Sequence, residues 1–240
     1  ACNNTNYGLQ GFYRSTNGGT SFAIQTTTIN LVGYTPSGTG GQAWYNLCID
    51  VSPSNKDEVI VGGILLYRTT DGGSSWTPFA GNGPNWTHYD QHDVLYSSPT
   101  KIYTANDGGL SVDSGAYFSR LTRGNNISEI YKMGLSGITP GLVVVGQQDN
   151  GTAKLNGNLH TWVDGGDGME CFFDRTNDNV LFVEEQNGWF LKSTNGGASF
   201  GFTMNSANGT SAWVTPWKQD PVNPGRIYAG RTEMWVSNSL

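Results

Sequence analysis

The segment "STNGGTSF" at residues 15–22 returns as "TTDGGSSW" at 69–76 and as "STNGGASF" at 193–200. Each copy, which we call a box segment, has a hydroxyl residue, then Asn or Asp, then Gly-Gly, and then Ser before an aromatic residue. An Asn or Asp side chain accepts hydrogen bonds from the backbone that follows it, and glycine adopts positive φ without a clash. The pattern predicts one hairpin turn used three times, with Asn17, Asp71 and Asn195 as its structural residues.

A second set of turns lies between the box segments, and each is followed by a run rich in Val, Ile, Tyr or Phe. These turns are "SPSN" (52–55), "SPTK" (98–101), "TPGL" (139–142), "DRTN" (174–177) and "DPVN" (220–223). Apolar runs between turn residues are typical of buried strands. The turns recur every 35 to 46 residues, and a repeat of roughly that length with about four strands indicates a β-propeller.

Residues 43–80 give the full pattern of one repeat, whose strands we label A to D. Strand A is "AWYNLCIDV", B is "EVIVGG", C is "ILLYRTT" and D begins at "TPFA", so the box segments are C–D turns. The predicted fold class is all-β, a β-propeller of four-stranded antiparallel blades, with about five blades' worth in one segment, 1–240. The blades cover about 43–86, 87–126, 127–164 and 165–208, with partial blades at 1–42 and 209–240. Because the first partial blade contributes only strands C and D, we expect the chain to be part of a larger propeller.

Composition limits the classes of partner. The chain has 240 residues and a formal net charge of −6, with a sequence pI near 4.9. Nucleic acid is disfavoured because its phosphates bind clustered Lys and Arg, and no apolar run is long enough to span a membrane. The low charge and abundant Asn, Thr, Ser and Gly favour an extracellular or cell-surface location. No cofactor is predicted.

The box segments resemble the Asp-box, or BNR repeat, of sialidases, sortilin-type receptors and xyloglucan-hydrolysing propellers. The further segments "HYDQHDV" (88–94), "ANDGGLSV" (105–112), "VVVGQQDNGT" (143–152) and "GGDGMECFFD" (165–174) are similar, in that order, to secreted Bacteroidetes-type surface propellers of the sortilin and xyloglucan-hydrolase-like group. The resemblance implies a surface propeller but no particular activity, because the box occurs in enzymes and receptors alike. Arginines are few and no Phe-Arg-Ile-Pro-like segment precedes the first box, so a sialidase is disfavoured.

Antiparallel strands sort the loops into two sets. The A–B and C–D turns lie at one end of each sheet, the box end, whereas the B–C turns and D–A connections lie at the other, the B–C end. In a propeller, the B–C end lies at the mouth of the central channel, where ligands commonly dock. Like charges that converge there are expected to raise the pKa of at least one carboxyl group. The polar residues predicted to meet at the B–C end are His88, Asp90, His92, Asn106, Asp107, Gln148, Asp149, Asn150, Asp164, Asp167, Glu170, Glu185, Gln186 and Asn187.

The densest of these clusters is "HYDQHD" at 88–93. On a strand, His88, Asp90 and His92 would point the same way and offer two imidazoles and a carboxylate to a metal ion. The same strand would spread the ends of the set over roughly 13 Å. We therefore favour the alternative, a hydrogen-bonded lining in which Asp holds His.

Asp149 in "QQDNG" and Asp167 in "GGDG" are the catalytic candidates. Glycoside hydrolysis requires two carboxyl groups about 5–9 Å apart, and these two lie in neighbouring repeats. The alternative, which we favour, is that each carboxylate caps N–H groups of its own loop.

The ligand-binding candidates are Trp86, His88, Asp90, Asp107, Gln148 and Glu170. Indole rings suit the apolar C–H faces of sugars, but they also fill the space between blades, and packing is the favoured interpretation for most of them. Trp86 is the best candidate for exposure. The tryptophans considered are Trp44, Trp86, Trp162, Trp189, Trp213 and Trp217.

Two functions remain open. The favoured one is a secreted or cell-surface recognition module that binds a glycan or protein ligand at the B–C end. The alternative is a glycoside hydrolase of the xyloglucanase-like propeller type that uses paired carboxylates. Either would act together with the remaining blades or modules of a longer chain.

Overall fold

The computed structural model describes residues 2–3, 5–80, 86–113, 115, 117–121, 128–204 and 211–238. The chain divides into two compact units, Ala1–Ile127 (unit 1) and Ser128–Leu240 (unit 2). All regular structure in the described residues is β-strand. None of these residues belongs to a helix long and apolar enough to cross a membrane.

Unit 1 contains one three-stranded sheet, β1–β3, and two four-stranded sheets, β4–β7 and β8–β11. In each sheet, strands that follow one another in the chain pair antiparallel. The strands are β1 Cys2–Asn3, β2 Leu9–Arg14, β3 Ala23–Thr26, β4 Cys48–Val51, β5 Val59–Gly62, β6 Leu66–Thr69, β7 Thr77–Ala80, β8 Gln91–Ser98, β9 Lys101–Asn106, β10 Gly109–Asp113 and β11 Phe118–Arg120.

Unit 2 contains two four-stranded sheets, β12–β15 and β16–β19, and one three-stranded sheet, β20–β22. Pairing is again antiparallel between consecutive strands. The strands are β12 Ile130–Leu135, β13 Leu142–Gln147, β14 Gly151–Asn156, β15 Leu159–Asp164, β16 Cys171–Asp174, β17 Asn177–Glu185, β18 Trp189–Ser193, β19 Gly201–Met204, β20 Trp217–Gln219, β21 Ile227–Gly230 and β22 Met234–Ser237.

The predicted fold class is confirmed, because the described part of the chain is all-β and four of the six sheets found there are the four-stranded antiparallel meanders of propeller blades. Each sheet falls within one predicted blade range, but the assignment of 1–240 to one domain stays a prediction. The predicted boundaries at 126/127 and 208/209 lie outside the described residues. The expectation of only strands C and D in the first range is wrong, because β1 pairs with β2 as a strand B. A strand of two residues is too short to show an alternating pattern.

The core of unit 1 explains why the run "VIVGG" is apolar at every position. Val59 and Val61 of β5 pack with Phe12 of the first sheet. Ile60, which points to the other face, packs with Val94 of the third sheet. Strand β5 is therefore buried on both sides, as expected of a strand between two packed sheets.

Unit 2 repeats this arrangement around β17. Leu181 and Val183 pack in a cluster with Phe173, whereas Phe182 points the other way and contacts Trp217 at a centroid distance of 5.6 Å. Alternate residues of one strand thus belong to two different clusters. Consecutive sheets of the unit pack face to face through these clusters.

The second box segment, between β6 and β7, shows how the Asp fixes its turn. Asp71 Oδ1 accepts hydrogen bonds from the Thr69 hydroxyl at 2.8 Å and the Ser75 N–H at 2.9 Å. The Ser75 hydroxyl donates to Oδ2 at 2.6 Å. These bonds, those from Ser75 first, hold the pKa of Asp71 well below its usual range. Gly72 and Gly73 have φ values of 76° and 104°, which a residue with a Cβ rarely adopts.

The other two box segments have the same geometry with Asn in place of Asp. Asn17, between β2 and β3, accepts a hydrogen bond from the Ser21 N–H at 3.0 Å. Asn195, between β18 and β19, accepts one from the Ser199 N–H at 3.0 Å. All three side chains are engaged within their own turns, at the predicted C–D position.

Candidate functional site

Five of the eight tryptophans are exposed, and all five lie at the B–C end of their sheets. Three stand in D–A connections: Trp44 is 66% exposed, Trp213 is 48% and Trp86 is 43%. Trp162, which is 63% exposed, lies near the end of β15, and Trp189 opens β18 directly after a B–C turn. The B–C end therefore presents indole rings to solvent in both units.

Packing between sheets is the role of only one of the six tryptophans considered from the sequence. Trp217 is buried and contacts Phe172, Phe182 and Phe190 at centroid distances of 5.0, 5.6 and 4.4 Å. For the other five, the packing interpretation is wrong, because they stand in loops or at strand ends rather than between sheet faces.

The aromatic row of unit 1 comprises Tyr7, Trp44, Tyr45 and His92, whose rings contact one another in that order. The centroid distances are 6.5 Å from Tyr7 to Trp44, 5.4 Å from Trp44 to Tyr45 and 4.7 Å from Tyr45 to His92. Asp107 lies at the end of the row. Its Oδ1 is 2.5 Å from His92 Nε2, and its Oδ2 accepts a hydrogen bond from the Tyr45 hydroxyl at 3.5 Å.

The turn that carries Trp44 and Tyr45 is held by Asp90. Asp90 Oδ1 accepts hydrogen bonds from Gln42 Nε2 at 2.5 Å and from Asn46 Nδ2 at 2.8 Å. Burial raises the pKa of Asp90, although the hydrogen bond from Asn46 opposes the rise. The carboxylate predicted to bind a ligand thus joins both ends of a turn that presents two aromatic side chains.

This turn replaces the first part of a predicted strand. The sequence placed residues 43–51 in strand A, but β4 begins at Cys48 and residues 43–45 form a turn. The N–H groups of Tyr45 and Asn46 both donate to the Gln42 carbonyl, at 2.7 and 2.8 Å. The N–H of Ala43 donates to the Tyr7 carbonyl at 3.0 Å. These three N–H groups are therefore satisfied without pairing to a neighbouring strand of the same sheet.

The three metal candidates of unit 1 do not share one strand, so the predicted alignment of their side chains is wrong. Strand β8 begins at Gln91, and Asp90 before it has a φ of 60°, which breaks the two-residue alternation. His88, Asp90 and His92 do not bring three ligand atoms within 4.8 Å of one another. The contact of His92 with Asp107 favours the alternative, a hydrogen-bonded lining.

Outside the aromatic row, Trp86 and His88 form another aromatic contact at the B–C end of unit 1, with centroids 6.1 Å apart. The guanidinium of Arg120 lies 5.5 Å from the Trp86 ring centroid and also donates to the Gly108 carbonyl at 3.3 Å. This cation–π contact holds the indole while 43% of the residue stays exposed. The expected exposure of Trp86 is confirmed.

Asp149 and Asp167, the predicted catalytic pair, are neighbours in unit 2. The Asp149 N–H donates to Asp167 Oδ1 at 2.7 Å, and the Asp167 N–H donates to Gln186 Oε1 at 3.1 Å. Asp149 has a φ of 54° in the B–C turn between β13 and β14. Asp167 therefore caps the turn that carries Asp149, whereas the favoured alternative had each carboxylate capping N–H groups of its own loop. Catalysis by the pair stays a prediction.

Gln148 takes part in a hydrogen-bonded chain at the same end of unit 2. Its Oε1 accepts a hydrogen bond from the Tyr131 hydroxyl at 2.7 Å, and Trp213 Nε1 donates to the Tyr131 hydroxyl oxygen at 3.3 Å. The chain links a B–C turn to the D–A connection before β20. The Trp213 ring is thereby oriented while it stays exposed.

Burial and a neighbouring negative charge together raise the pKa values of Asp164 and Glu185 at this end. Burial first, and then the charge of Glu185, raises the pKa of Asp164 to about 6. Burial and the charge of Asp167 raise the pKa of Glu185. The expectation that like charges raise a carboxyl pKa here is confirmed, with burial as the larger cause.

Glu170 and Glu184 are buried. Glu170, a predicted ligand-binding residue, pairs its Oε1 with Lys218 Nζ at 2.5 Å. Glu184 Oε1 accepts hydrogen bonds from the N–H groups of Thr215 at 2.8 Å and Gly188 at 3.2 Å. Its Oε2 accepts one from the Glu170 N–H at 3.3 Å. Burial raises the pKa of Glu184 to about 7 in spite of these bonds.

Sequence reasoning missed Tyr7, Tyr45 and Glu184. Tyr45 was placed in a strand, although its position between Trp44 and Asn46 breaks any apolar–polar alternation and was the available signal. Glu184 belongs to a run that reads as an ordinary buried strand. Nothing in the sequence indicated that its carboxylate gathers three backbone N–H groups from three loops, those of Gly188, Glu170 and Thr215.

No protein-family model and no curated protein matches the chain. Among solved structures, it is similar to the GH74 enzyme of Niastella koreensis, with 20% identity and a TM-score of 0.42; the match covers 95% of this chain and 41% of that one. It is also similar to the GH74 xyloglucanase from Xanthomonas campestris, with 16% identity and a TM-score of 0.41; the match covers 95% of this chain and 40% of that one.

A third similar structure is YCF48 from Cyanidioschyzon merolae, with 11% identity and a TM-score of 0.36; the match covers 80% of this chain and 95% of that one. The chain spans about two fifths of the length of the two GH74 enzymes. Because these TM-scores lie below 0.5, the fold rests on the sheets of this chain itself.

Proposed function

We propose that this chain is a recognition module that binds glycans at the B–C ends of its sheets. The observation that carries the proposal is the position of the five exposed tryptophans, all at that end. An exposed indole ring is costly to leave in water unless it meets a ligand, and it suits the apolar C–H face of a sugar. The box segments, by contrast, use their Asn and Asp side chains within their own turns.

Polar groups beside these rings support the proposal. In unit 1, Asp107 contacts His92 at the end of the aromatic row. In unit 2, Tyr131 links Gln148 to Trp213. Rings for stacking, combined with a few oriented hydrogen-bonding groups, are what specific binding of a sugar requires. We further propose an extracellular or cell-surface location, and a longer chain whose other blades or modules complete the molecule.

The test is co-sedimentation of the protein with a panel of insoluble polysaccharides, followed by affinity electrophoresis in soluble ones. Trp86→Ala and Trp213→Ala should each weaken retention of the protein in a polysaccharide that the wild type binds. Phe22→Ala is the matched control, because Phe22 is 64% exposed in a box segment at the opposite end. Its retention should equal that of the wild type.

Absence of binding to every polysaccharide would contradict the proposal, as would an equal loss in Phe22→Ala. A protein ligand in place of a glycan would give the first of these results.

Glycoside hydrolysis is a second candidate because unit 2 holds carboxyl groups in unequal environments. Asp164 has a pKa raised to about 6, which suits a general acid at neutral pH, and Glu185 beside it contributes to that rise. We propose Asp164, with Asp149 and Asp167, as the groups to test. Release of reducing sugar by the wild type that is abolished in Asp164→Asn would favour hydrolysis over binding alone. No release from a polysaccharide that the protein binds would exclude it for that substrate.

A further inference from the structure

We propose that Trp44 is the stacking surface of a subsite for one neutral pyranose ring with equatorial hydroxyl groups, with Asp107 and His92 as partners for those hydroxyls. The proposal deepens the proposed glycan recognition and rests on it. It assigns Trp44 to the ligand, gives Tyr7 and Tyr45 the role of supporting its ring, and gives Asp90 the role of a positioning residue.

The first step is the exposure and support of the indole. Trp44 is 66% exposed, the largest value among the tryptophans. Tyr7 meets it edge-on at an interplanar angle of 68°, and Tyr45 is tilted by 39° on it. Such contacts hold a ring without covering a whole face, because a covering neighbour would lie parallel to it. The ring is thus supported from its neighbours while most of it faces solvent.

The second step is the rigidity of the turn that presents Trp44. Within the turn, the N–H groups of Tyr45 and Asn46 donate to the Gln42 carbonyl. Across its ends, Asp90 accepts hydrogen bonds from the side chains of Gln42 and Asn46. Asn46 is only 1% exposed, so this clamp is shielded from water. A turn fixed before binding loses little conformational entropy when a ligand arrives.

The third step is the chemistry of the two groups that contact Tyr45 on the side away from Trp44, Asp107 and His92. A pyranose with equatorial hydroxyl groups presents only C–H bonds on its faces, which matches an indole, and directs its hydroxyls outward in the ring plane. The Asp107 carboxylate accepts hydrogen bonds from hydroxyl groups, and the His92 imidazole donates or accepts them. Asp90 and Asp107 bring negative charge close to the turn, so a uronic acid would be repelled.

The experiment is calorimetric titration of the full chain with cellohexaose, whose ring hydroxyls are all equatorial, and with hexagalacturonate, which differs both in its negative charge and in its axial C4 oxygen. Wild type should bind cellohexaose and not hexagalacturonate. Trp44→Ala should weaken cellohexaose binding by about tenfold or more. Phe22→Ala, which removes a ring of almost equal exposure at the box end, should leave it unchanged.

The positioning role has its own pair of variants. Asp90→Ala removes both hydrogen bonds of the clamp and should weaken cellohexaose binding about as much as Trp44→Ala. Asp90→Asn should restore binding, because both donors bond the same oxygen, Oδ1, and an amide oxygen accepts the same two bonds. A purely structural role would instead move the melting temperature and leave the affinity of the folded fraction intact.

The outcomes separate the two levels of the proposal. If the wild type binds polysaccharides but not cellohexaose, or if Trp44→Ala keeps full affinity, the subsite is wrong and glycan recognition stands. Tighter binding of hexagalacturonate would also overturn the neutral subsite. If the wild type binds no polysaccharide and neither oligosaccharide, the proposed function itself is wrong. Full affinity in Asp90→Ala would overturn the positioning role.

Discussion

Glu184 couples the stability of unit 2 to pH. Its pKa rises from 4.5 to about 7 in the folded protein, chiefly through burial, so the folded state holds the proton more tightly than the unfolded state does. The resulting stabilisation is fully present below pH 4.5 and is lost as pH rises through 7. A shift of this size corresponds to roughly 3 kcal/mol of unfolding free energy.

Glu184→Gln should remove this dependence, because an amide cannot ionise and keeps the shape of the protonated carboxyl group. We expect the unfolding free energy of the wild type, relative to the variant, to fall by about 3 kcal/mol between pH 4.5 and pH 8. Urea titrations of both proteins at several pH values measure this difference. The contributions of other groups, such as Asp164, cancel because both proteins contain them.

Glu233→Gln is the control, because Glu233 is an exposed glutamate of the same unit. It should leave the pH dependence of the wild type in place. A parallel pH dependence in wild type and Glu184→Gln would mean that Glu184 keeps an ordinary pKa.

At the residue scale, the sequence predicted well which side chains lie close together at the B–C end. It predicted their hydrogen-bond partners less well. The proximity of Asp149 to Asp167 follows from the order of turns along the chain, and the structure shows it. The clamp formed by Asp90 did not follow, because Gln42 and Asn46 are more than 40 residues away from it in sequence. Hydrogen bonds of that range depend on how sheets pack, which no local pattern encodes.

At the scale of the element, the three box turns share hydrogen bonds but differ in what their aromatic residues contact. Trp76 is half-buried, packs edge-on against Phe12 of the preceding sheet at 5.0 Å, and donates from Nε1 to the Gly73 carbonyl at 3.1 Å. Phe22 in the first box segment is 64% exposed. The aromatic residue of a box segment therefore contributes more to stability where a neighbouring sheet covers it than where it is exposed.

Trp76→Ala should lower the unfolding free energy by roughly 2 kcal/mol, less than for a fully buried ring, because only part of the indole is removed from water. Phe22→Ala should cost less than about 0.5 kcal/mol. Chemical denaturation at pH 7 measures both.

Trp76→Phe separates the two contacts of the indole, since it keeps a ring against Phe12 and loses the hydrogen bond to Gly73. It should recover most of the loss. Equal costs for Trp76→Ala and Phe22→Ala would show that the box aromatics act only within their own turns.

The sequence predicted the elements well where a strand is buried on both faces or ends in a box turn. The run around Ile60 is buried on both faces, and its strand was found within one residue at each end. The next strand, β6, ends where a box segment begins. Prediction failed at β1, which is too short for a pattern, and at residues 43–47, where aromatic residues of high β propensity form a turn instead. Tertiary hydrogen bonds override local propensity at such positions.

At the scale of the whole molecule, the division into two units predicts that unit 2 folds without unit 1. Two described hydrophobic clusters lie within Ser128–Leu240, one around Phe173 and one around Trp217. The backbone partners of Glu184 lie within the same range. In a chain of stacked repeats, stability comes mainly from contacts between adjacent repeats, so a run of packed sheets holds its own core.

A fragment of residues 128–240 should therefore melt cooperatively and bury Trp217, so that Trp217→Phe removes a blue-shifted component from the tryptophan emission of the fragment. It should also lose stability between pH 4.5 and 7 in the same way as the full chain, and Glu184→Gln should abolish this loss in both, because Glu184 is held by loops that the fragment contains. The matched fragment, residues 1–127, lacks Glu184 and should not show that component. A fragment 128–240 that melts without cooperativity would show that its sheets need unit 1 to form their core. A cooperative fragment without the pH dependence would instead show that Glu184 takes its raised pKa from surroundings outside unit 2.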